Sequence, residues 1–375
     1  MKRMTGLIVG LFVVIGLIFG GGICEAQGNK VFNLKMATQH PAEAPMNKII
    51  NQAWFKWLEK ESNGRIKVTL LPAEQAAKAD KLYDAARSGI VDIACHNFGT
   101  TPGRTPLMSV MELPFMVTFP GSRSYALTCM ELYEKYPEIR AEFKGVKVLN
   151  FHSADAGQFH TVGKPIRTVQ DIEGMILLSI SKWASESVKL LGGTPEAAHP
   201  AEIYDLLAKK VVDGMILNWE GAHLVFHITD STNYATEINL CESPFVHVMN
   251  QKTWDSLPPD LQELFMGENA WRLAELFAYD YDKTNLMAKD ELDKVLQKRG
   301  YPGVYVFPEE EKAKAMKMIE PIYEQWMTQA AATVGGDKAK AILQDVREFA
   351  KKHRYETTPF DKCERTLHEW GASGY

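Results

Sequence analysis

The chain has 375 residues and a net charge of −5, with 46% apolar and 24% charged residues. This length suffices for two domains of ordinary size, and this composition is that of a globular protein and not of a disordered one. A nucleic-acid-binding protein is not expected, because phosphate binding requires clustered lysine and arginine and the sequence contains no basic block.

The first 26 residues have the features of a secretory signal. Two basic residues precede an uncharged apolar stretch, residues 6–23, and small residues follow at Cys24 and Ala26. This order predicts cleavage before Gln27 and an exported mature chain. An uncleaved anchor remains an alternative, since an apolar stretch of this length just suffices to span a bilayer. Lipid modification of Cys24 is a third, less expected outcome.

Strands and helices alternate in the first part of the mature chain. Alternating or continuous apolar residues predict strands over 31–37, 65–71 and 90–94. A three-four spacing of apolar residues predicts helices over 45–62 and 78–88. The resulting βαβαβ order is typical of a parallel sheet with helices on both faces.

Two segments of the chain resemble each other. "LYDAARSGIVDIACHNFG", from Leu82, and "IYDLLAKKVVDGMILNWE", from Ile203, share Tyr-Asp and Val-Asp pairs at identical spacing. The match predicts two similarly wound α/β lobes. Because ligands bind beyond the carboxyl ends of strands in open α/β sheets, facing lobes would share a ligand cleft. Each lobe would supply an amide and an aromatic ring to it, from Asn97, Phe98, Asn218 and Trp219.

The last third of the chain is predominantly helical. Apolar residues with three-four spacing predict one helix over 258–299, long enough to brace both lobes. Further helices are predicted over 309–334 and 337–351.

This combination resembles the extracytoplasmic solute-binding proteins of TRAP transporters, the DctP family. The similarity extends over essentially the whole mature chain, and its most specific segments are "GKPIRTVQDIEGM" and "AEIYDLLAKKVVDGM". It implies an α/β fold of the periplasmic-binding-protein type, with two lobes, crossing strands and a long bridging helix. It also implies a monomeric periplasmic protein that closes around a small organic acid and delivers it to the membrane permease subunits.

The resemblance and the predicted elements together suggest a division of the chain. We expect a signal peptide over 1–26 and a first lobe over 27–155, to which 244–283 returns. The second lobe is expected over 156–243, with 284–375 packing on it and across both lobes.

The chain departs from the family where the ligand is held. Most members carry a carboxylate-binding arginine on the strand after "DIEGM", and Leu178 occupies that place here. Gln158 replaces a second common arginine, and Ser181 replaces an asparagine. A buried carboxylate without a partner costs several kcal/mol, so we expect a neutral or cationic polar ligand. The alternative is an acid held by Lys182, by Arg104 or by a shifted backbone; Arg104 is the weaker candidate, since relatives have this loop beside their normal arginine.

A neutral or cationic ligand needs apolar walls and an acidic or amide partner. The ring faces of Phe98, Trp183 and Trp219 are candidate walls, and Asp155 or Glu220 could pair with a cation. His40, at the end of the first strand, is either a cleft residue or a loop cap. The predicted ligand-binding residues are His40, Asn97, Phe98, Gln158, Leu178, Ser181, Trp183, Asn218, Trp219 and Glu220.

Catalysis, metals and cofactors are not indicated. The sequence has no G-x-S-x-G motif, and its cysteines fit no zinc pattern. We expect buried thiols with at most one disulfide. His223 and His227 have metal-ligand spacing but no evident third ligand. Three alternatives remain: an enzyme that uses the cleft, a sensor that presents its ligand to a receptor, and a metal receptor built on His40, His96, His152, His160, His223 and His227.

Overall fold

A computed structural model describes residues 30–117, 121–179, 181–198, 202–354 and 360–372. The predicted signal peptide lies outside the described residues. Within these ranges, no helix combines the length and the apolar character that crossing a bilayer requires.

The first sheet forms the core of one lobe. Its five described strands lie in the order β2-β1-β3-β10-β4. They are β1 (Phe32–Ala37), β2 (Ile66–Leu71), β3 (Ile93–Asn97), β4 (Val146–Ala156) and β10 (Glu242–Asn250). β1 is parallel to β2 and β3, as predicted, whereas β10 is antiparallel to both of its neighbours. β3 begins three residues later than predicted, because Gly89 ends the preceding helix with a φ of 82° and a turn follows it.

Helices cover both faces of this sheet. They are a π-helical turn (Met46–Asn51) continuing into α1 (Gln52–Glu61), then α2 (Leu82–Ser88), α3 (Ser122–Lys135) and α4 (Pro137–Glu142). The predicted apolar stripe of α1 is buried at Trp54 and Leu58, while Trp57 is half-buried and stacks on Trp370. Burial of such a stripe is what holds an amphipathic helix against a sheet.

The second sheet forms the core of the other lobe. Its order is β11-β9-β5-β8-β6-β7 among the described strands. They are β5 (Gln158–Thr161), β6 (Ile176–Leu178), β7 (Thr194–Glu196), β8 (Gly214–Leu217), β9 (Tyr234–Glu237) and β11 (Val304–Val306). The helices α5 (Lys182–Leu190) and α6 (Ile203–Ala208) follow β6 and precede β8.

Two crossings connect the lobes. β4 leads into β5 at Gly157, and β9 leads into β10 through residues 238–241. The crossings are hydrogen-bonded to each other, since the Gly157 amide donates to the Cys241 carbonyl (2.8 Å) and the Leu240 amide donates to the Gly157 carbonyl (3.0 Å). A Cβ at position 157 would lie 2.6 Å from the Cγ2 atom of Ile216, so this close approach requires glycine.

The long bridging helix is shorter than predicted. The predicted helix over 258–299 is two helices, α8 (Pro259–Glu263) and α9 (Glu268–Lys298), and a short α7 (Gln251–Ser256) precedes them. Gly267 separates them with φ 55° and ψ −134°, a backbone conformation that side chains disfavour. At 1.5 Å per residue, α9 is about 46 Å long. It packs on β4 and α3 of the first lobe and on β11 of the second.

The C-terminal helices are α10 (Glu309–Met318), α11 (Glu320–Val334), α12 (Gly336–Lys352) and α13 (Phe360–Glu369). The predicted single helix over 309–334 is therefore interrupted at Ile319, where Pro321 begins a new helix. α12 packs on α3 of the first lobe, and α11 contacts both α12 and α5. These helices thus touch both lobes.

Candidate functional site

A cavity of about 400 Å³ lies between the two sheets. The segments that follow β1, β3, β6 and β8 all line it, so the carboxyl ends of strands from both lobes converge there, as the rule for open α/β sheets predicts. Most of its surface is apolar, contributed by Ala154, Ile203, Met215, Leu217, Phe226 and Phe245. Its size and character suit a small organic molecule.

The two repeated segments each place one asparagine in the cavity wall. Asn97 and Asn218 both line it, and both are buried. The Asn97 amide donates to the Ser243 hydroxyl (3.0 Å) and its Oδ1 accepts from the Gly99 amide (2.8 Å). The Asn218 amide donates to Oδ1 of Asn285 on α9 (3.1 Å). Each asparagine therefore also fixes the loop that it begins.

The predicted aromatic walls lie elsewhere. Phe98 packs on Phe143 and Phe151 in the core of the first lobe, and Trp219 packs edge-on against His160. Trp183 is buried on the inner face of α5 and does not line the cavity. Phe98 begins the short 3₁₀ helix that follows β3, and Trp219 lies in the helical turn that follows β8. The chain has left the strand at both positions, and both rings are buried in the core while the asparagines before them line the cavity.

Aromatic side chains reach the cavity from other segments. Phe245 enters from β10, Phe226 from the turn after β8, and the His40 ring packs 5.1 Å from Phe245. His40 lines the cavity, and its Nδ1 lies 3.2 Å from the Thr38 hydroxyl in the loop that follows β1. Phe245 was not predicted, since β10 joins the first sheet between β3 and β4 through a long-range pairing.

Leu178 and Gln158, two of the predicted ligand-binding residues, do not line the cavity. Leu178 is 1% exposed and packs in an apolar cluster with Ile203, Met215 and Leu217, which themselves line the cavity. The Gln158 amide donates to the Ala156 carbonyl and to Asn239, so its polar atoms tie the two lobe crossings together. Both side chains are therefore buried in surroundings that satisfy them without a ligand.

The start of α5 supplies hydroxyls and one cation. Ser181 lines the cavity and caps α5, its Oγ accepting from the Ala184 amide (3.2 Å). Lys182 also lines the cavity, with its Nζ 4.0 Å from the centre of the Trp183 ring. Ser179 and Ser185, whose hydroxyl oxygens are 2.5 Å apart, complete this end of the cavity.

Glu220 is a buried carboxyl group in the cavity wall. Its backbone amide donates to Oδ1 of Asn285 (2.9 Å), while its Oε2 has only a long contact of 3.4 Å to the Asn218 amide. No lysine or arginine of the described chain is ion-paired with it. Burial, together with the negative charge of Asp280, raises the pKa of Glu220 to about 8. At neutral pH this group is mostly a protonated hydrogen-bond donor.

The other charged candidates, Arg104 and Asp155, are bound by groups of the protein itself. Arg104 pairs with Asp84 (2.8 Å) and stacks on Tyr83, and it does not line the cavity. Asp155 is completely buried at the end of β4, where its Oδ1 accepts from the Ala156 amide (2.8 Å). None of the described arginines lines the cavity, and Lys182 is the described lysine that does.

The aspartates of the two repeated Val-Asp pairs, Asp92 and Asp213, have corresponding structural roles. Asp92 accepts from the backbone amide of Lys35 (2.8 Å), and Asp213 accepts from that of Ile176 (2.8 Å). Each carboxylate thus joins the turn before a strand to the neighbouring strand, at the same place in each lobe.

The histidine pair with metal-ligand spacing does not form a recognisable metal site. His223 Nδ1 lies 3.1 Å from the Thr229 hydroxyl and its Nε2 lies 3.4 Å from Glu291, while His227 is exposed. Neither belongs to a group of three ligand atoms in the described part of the chain. Cys95, Cys129, Cys241 and Cys363 are free thiols.

The chain matches the family model of "Bacterial extracellular solute-binding protein, family 7", DctP, over residues 36–330. A curated relative, the C4-dicarboxylate-binding periplasmic protein DctP of Vibrio cholerae, is 26% identical over 56% of this chain and 62% of its own length.

Solved structures show the same architecture. A TRAP solute binding protein from Rhodoferax ferrireducens, in complex with copurified benzoate, has a TM-score of 0.78 at 25% identity, covering 86% of this chain and 98% of that one. A marine metagenome TRAP solute binding protein, described as specific for aromatic acid ligands and bound to 3-hydroxybenzoate, has a TM-score of 0.77 at 26% identity, covering 87% and 100%.

Proposed function

This chain belongs to the DctP family of bacterial extracellular solute-binding proteins, and from that membership we propose that it is the periplasmic receptor of a TRAP transporter. Its cavity receives a small organic molecule, and the closed protein delivers this molecule to the membrane permease. Hinge motion at the two lobe crossings would accompany binding, since a ligand that contacts both lobes stabilises the closed state. The role requires capture and release and no chemical conversion.

We further propose that the ligand has an apolar body, the size of one aromatic ring with a short substituent, and an uncharged or cationic polar group. The observation that carries this proposal is Glu220, a carboxyl group in the cavity wall without a cationic partner among the described residues. A ligand ammonium group would pair with the ionised carboxylate. A neutral ligand would accept a hydrogen bond from the protonated form.

The apolar part of the ligand has a matching surface. Phe226, Phe245 and Met215 offer ring and thioether contacts within the wall. Polarisable side chains of this kind favour a flat ring. Asn97 and Asn218, which also line the cavity, would orient the polar substituent of that ring.

A second candidate ligand is an aromatic acid. The two structural neighbours above were crystallised with benzoate and 3-hydroxybenzoate, and Lys182 with Ser181 stands at the start of α5 in the cavity wall. An ammonium group and a helix N-terminus both favour an anion. A single half-buried lysine provides one point charge, however, and not the two-point contact of a guanidinium.

A thermal-shift experiment with matched probes tests the proposal. Benzylamine, benzamide and benzyl alcohol differ from benzoate in the polar group and share the ring, and a ligand that binds only the folded protein raises the Tm. We expect the amine or the neutral probes to raise the Tm of the wild type. Glu220→Gln should abolish the amine shift, whereas Lys182→Met should leave it.

The opposite pattern would overturn the proposed ligand class. If benzoate alone raises the Tm, and Lys182→Met removes that shift while Glu220→Gln retains it, the ligand is an acid held at α5. The role as a solute-binding protein would survive that result.

A further inference from the structure

Three soft ligand atoms meet inside the first lobe, apart from the cavity wall. Cys95 on β3, His152 on β4 and His247 on β10 each offer one atom, and these atoms all lie within 4.8 Å of one another. The strands are direct neighbours, and His247 pairs with Cys95 in the sheet register. All three side chains are completely buried.

The two imidazoles are poorly satisfied by hydrogen bonds. His247 Nδ1 lies 2.9 Å from Oδ1 of Asn150, which as an acceptor fixes the proton on Nδ1 and leaves a lone pair on Nε2. Among the described residues, neither that Nε2 nor Nδ1 of His152 has a hydrogen-bond partner. His152 Nε2 lies 3.9 Å from the Cys95 sulfur. Buried polar atoms nearly always have partners, so these unpartnered nitrogens call for an explanation.

The arrangement has the features of a metal-binding shell. A ligating histidine usually donates its other ring proton to a second-shell acceptor, which is the relation of His247 to Asn150. With its Nδ1 directed at Asn150, His247 presents its Nε2 as the ligand atom.

The total charge of the three ligand side chains favours a monovalent metal ion. No carboxylate belongs to the group formed by the described residues, and stacked rings of Phe245 and Phe277 flank His152 at 5.2 and 4.4 Å. One thiolate and two neutral imidazoles carry a total charge of −1, so a monovalent ion gives a neutral site. A divalent ion would leave one uncompensated positive charge in an apolar interior, which is costly. Thiolate ligands favour both Cu(I) and Zn(II), and of these two ions Cu(I) is the one that leaves the site neutral.

We propose that Cys95, His152 and His247 bind one Cu(I) ion. The Cys95 thiol loses its proton to solvent as the Cu–S bond forms, and both histidines bind as neutral ligands, with no change of oxidation state. The Phe245 ring, which lines the cavity and stacks on His152, separates the cluster from the cavity. Bound copper would link the three neighbouring strands β3, β10 and β4.

The test is copper retention by the purified protein. The protein is loaded anaerobically with one equivalent of Cu(I), challenged with bicinchoninate and desalted, and its copper content is measured. We expect one copper per chain, an ultraviolet thiolate-to-copper absorption band, and loss of both in Cys95→Ser and in His247→Gln. Cys129→Ser removes another buried thiol of the same lobe and should retain the copper.

Three results would overturn the proposal: no copper retained by the wild type, equal retention by Cys95→Ser, or retention of Zn(II) in preference to Cu(I) when both ions are offered in a parallel loading. Circular dichroism and a cooperative thermal transition establish that each variant is folded. A variant that unfolds is replaced in the comparison by His152→Gln, so that the absorption band is always scored on folded protein.

Discussion

At the scale of single residues, Glu220 makes stability depend on pH. Its pKa is raised from 4.5 to about 8 in the folded protein by desolvation and by Asp280. Between these two values the folded state binds more protons than the unfolded state, so the free energy of unfolding falls as the pH rises from about 4.5 to 8. Well above pH 8 Glu220 is ionised in both states, and the stability that its protonated form contributes at lower pH is fully lost.

We therefore predict that Glu220→Gln flattens this part of the pH profile. The amide is isosteric and uncharged, so the variant should match the wild type near pH 5 and exceed it at pH 8.5 by up to about 4 kcal/mol. Urea denaturation across the pH range measures the difference. Glu242, whose pKa is also raised to about 8, remains in both proteins and cancels in the comparison. Parallel profiles for the two proteins would refute the buried, unpaired state of Glu220.

We predict that Leu178 contributes to the stability of the protein through its packing in the core. Leu178→Ala removes a completely enclosed side chain and should lower the free energy of unfolding by about 2–4 kcal/mol. Ile176→Ala is a matched control on the same strand, where the side chain is 36% exposed, and should cost about 1 kcal/mol or less. Equal losses, measured by urea denaturation, would contradict the placement of Leu178 in a tight cluster.

At this scale, sequence patterns located the site better than they oriented its side chains. The repeat predicted that Asn97 and Asn218 lie at corresponding strand ends, and both line the cavity. Phe98 and Trp219 were expected to accompany them, yet the helical turns that follow β3 and β8 direct both rings into the core. The position of Phe245 on β10 could not be predicted, since it depends on a long-range pairing.

At the scale of secondary-structure elements, α9 couples the lobes through one side chain. The Asn285 amide donates to the Ala154 carbonyl of the first lobe (3.2 Å). Its Oδ1 accepts from the Asn218 side chain and from the Glu220 amide of the second lobe (3.1 and 2.9 Å). The helix thus holds the cavity wall from behind.

We predict that Asn285→Ala destabilises the protein by about 2–4 kcal/mol, because it leaves several buried polar groups unpaired. It should also weaken ligand binding, since Asn218 and Glu220 lose their common anchor. Calorimetry of unfolding and of ligand binding measures both effects. Met287→Ala on the same helix is the control: its side chain is 52% exposed, and the change should stay within about 0.5 kcal/mol. An Asn285→Ala variant as stable as this control would contradict the bridging role.

Helix boundaries were the least accurate part of the sequence prediction. The apolar spacing continues through 258–299, but Gly267 adopts a backbone conformation that no periodicity reveals. Likewise Pro321 restarts the helix after Ile319, although the apolar stripe continues across it. In both cases a single residue's backbone preference outweighs a pattern that spans several turns.

At the scale of the whole molecule, two lobes joined by two crossings and one long helix predict a closing motion. We expect the radius of gyration, measured by small-angle X-ray scattering, to decrease when a ligand binds, because a hinge closes around a ligand that contacts both lobes. Benzylamine or benzamide, whichever raises the Tm, serves as the ligand. Glu220→Gln with benzylamine is the control and should show no decrease. An unchanged radius in the wild type at saturation would contradict hinge closure.

The two-lobed architecture was predictable because it depends on repeated local patterns, alternation of strands and helices, and family motifs spread over the chain. The chemistry of the cavity was less predictable, because its wall combines β1, β3, β6, β8 and β10, which are far apart in sequence. The prediction that Leu178 marks a missing charge in the ligand site stays a prediction, and the burial of Glu220 depends on the packing of α9 behind it.

Isothermal titration calorimetry of the wild-type protein at pH 7 tests the central claim, that the cavity binds its ligand without a guanidinium clamp and through Glu220. Benzylamine, benzamide and benzoate are titrated in turn. The account predicts that benzylamine or benzamide binds at least about tenfold more tightly than benzoate, a difference of about 1.4 kcal/mol. Tighter binding of benzoate than of both other probes would contradict it.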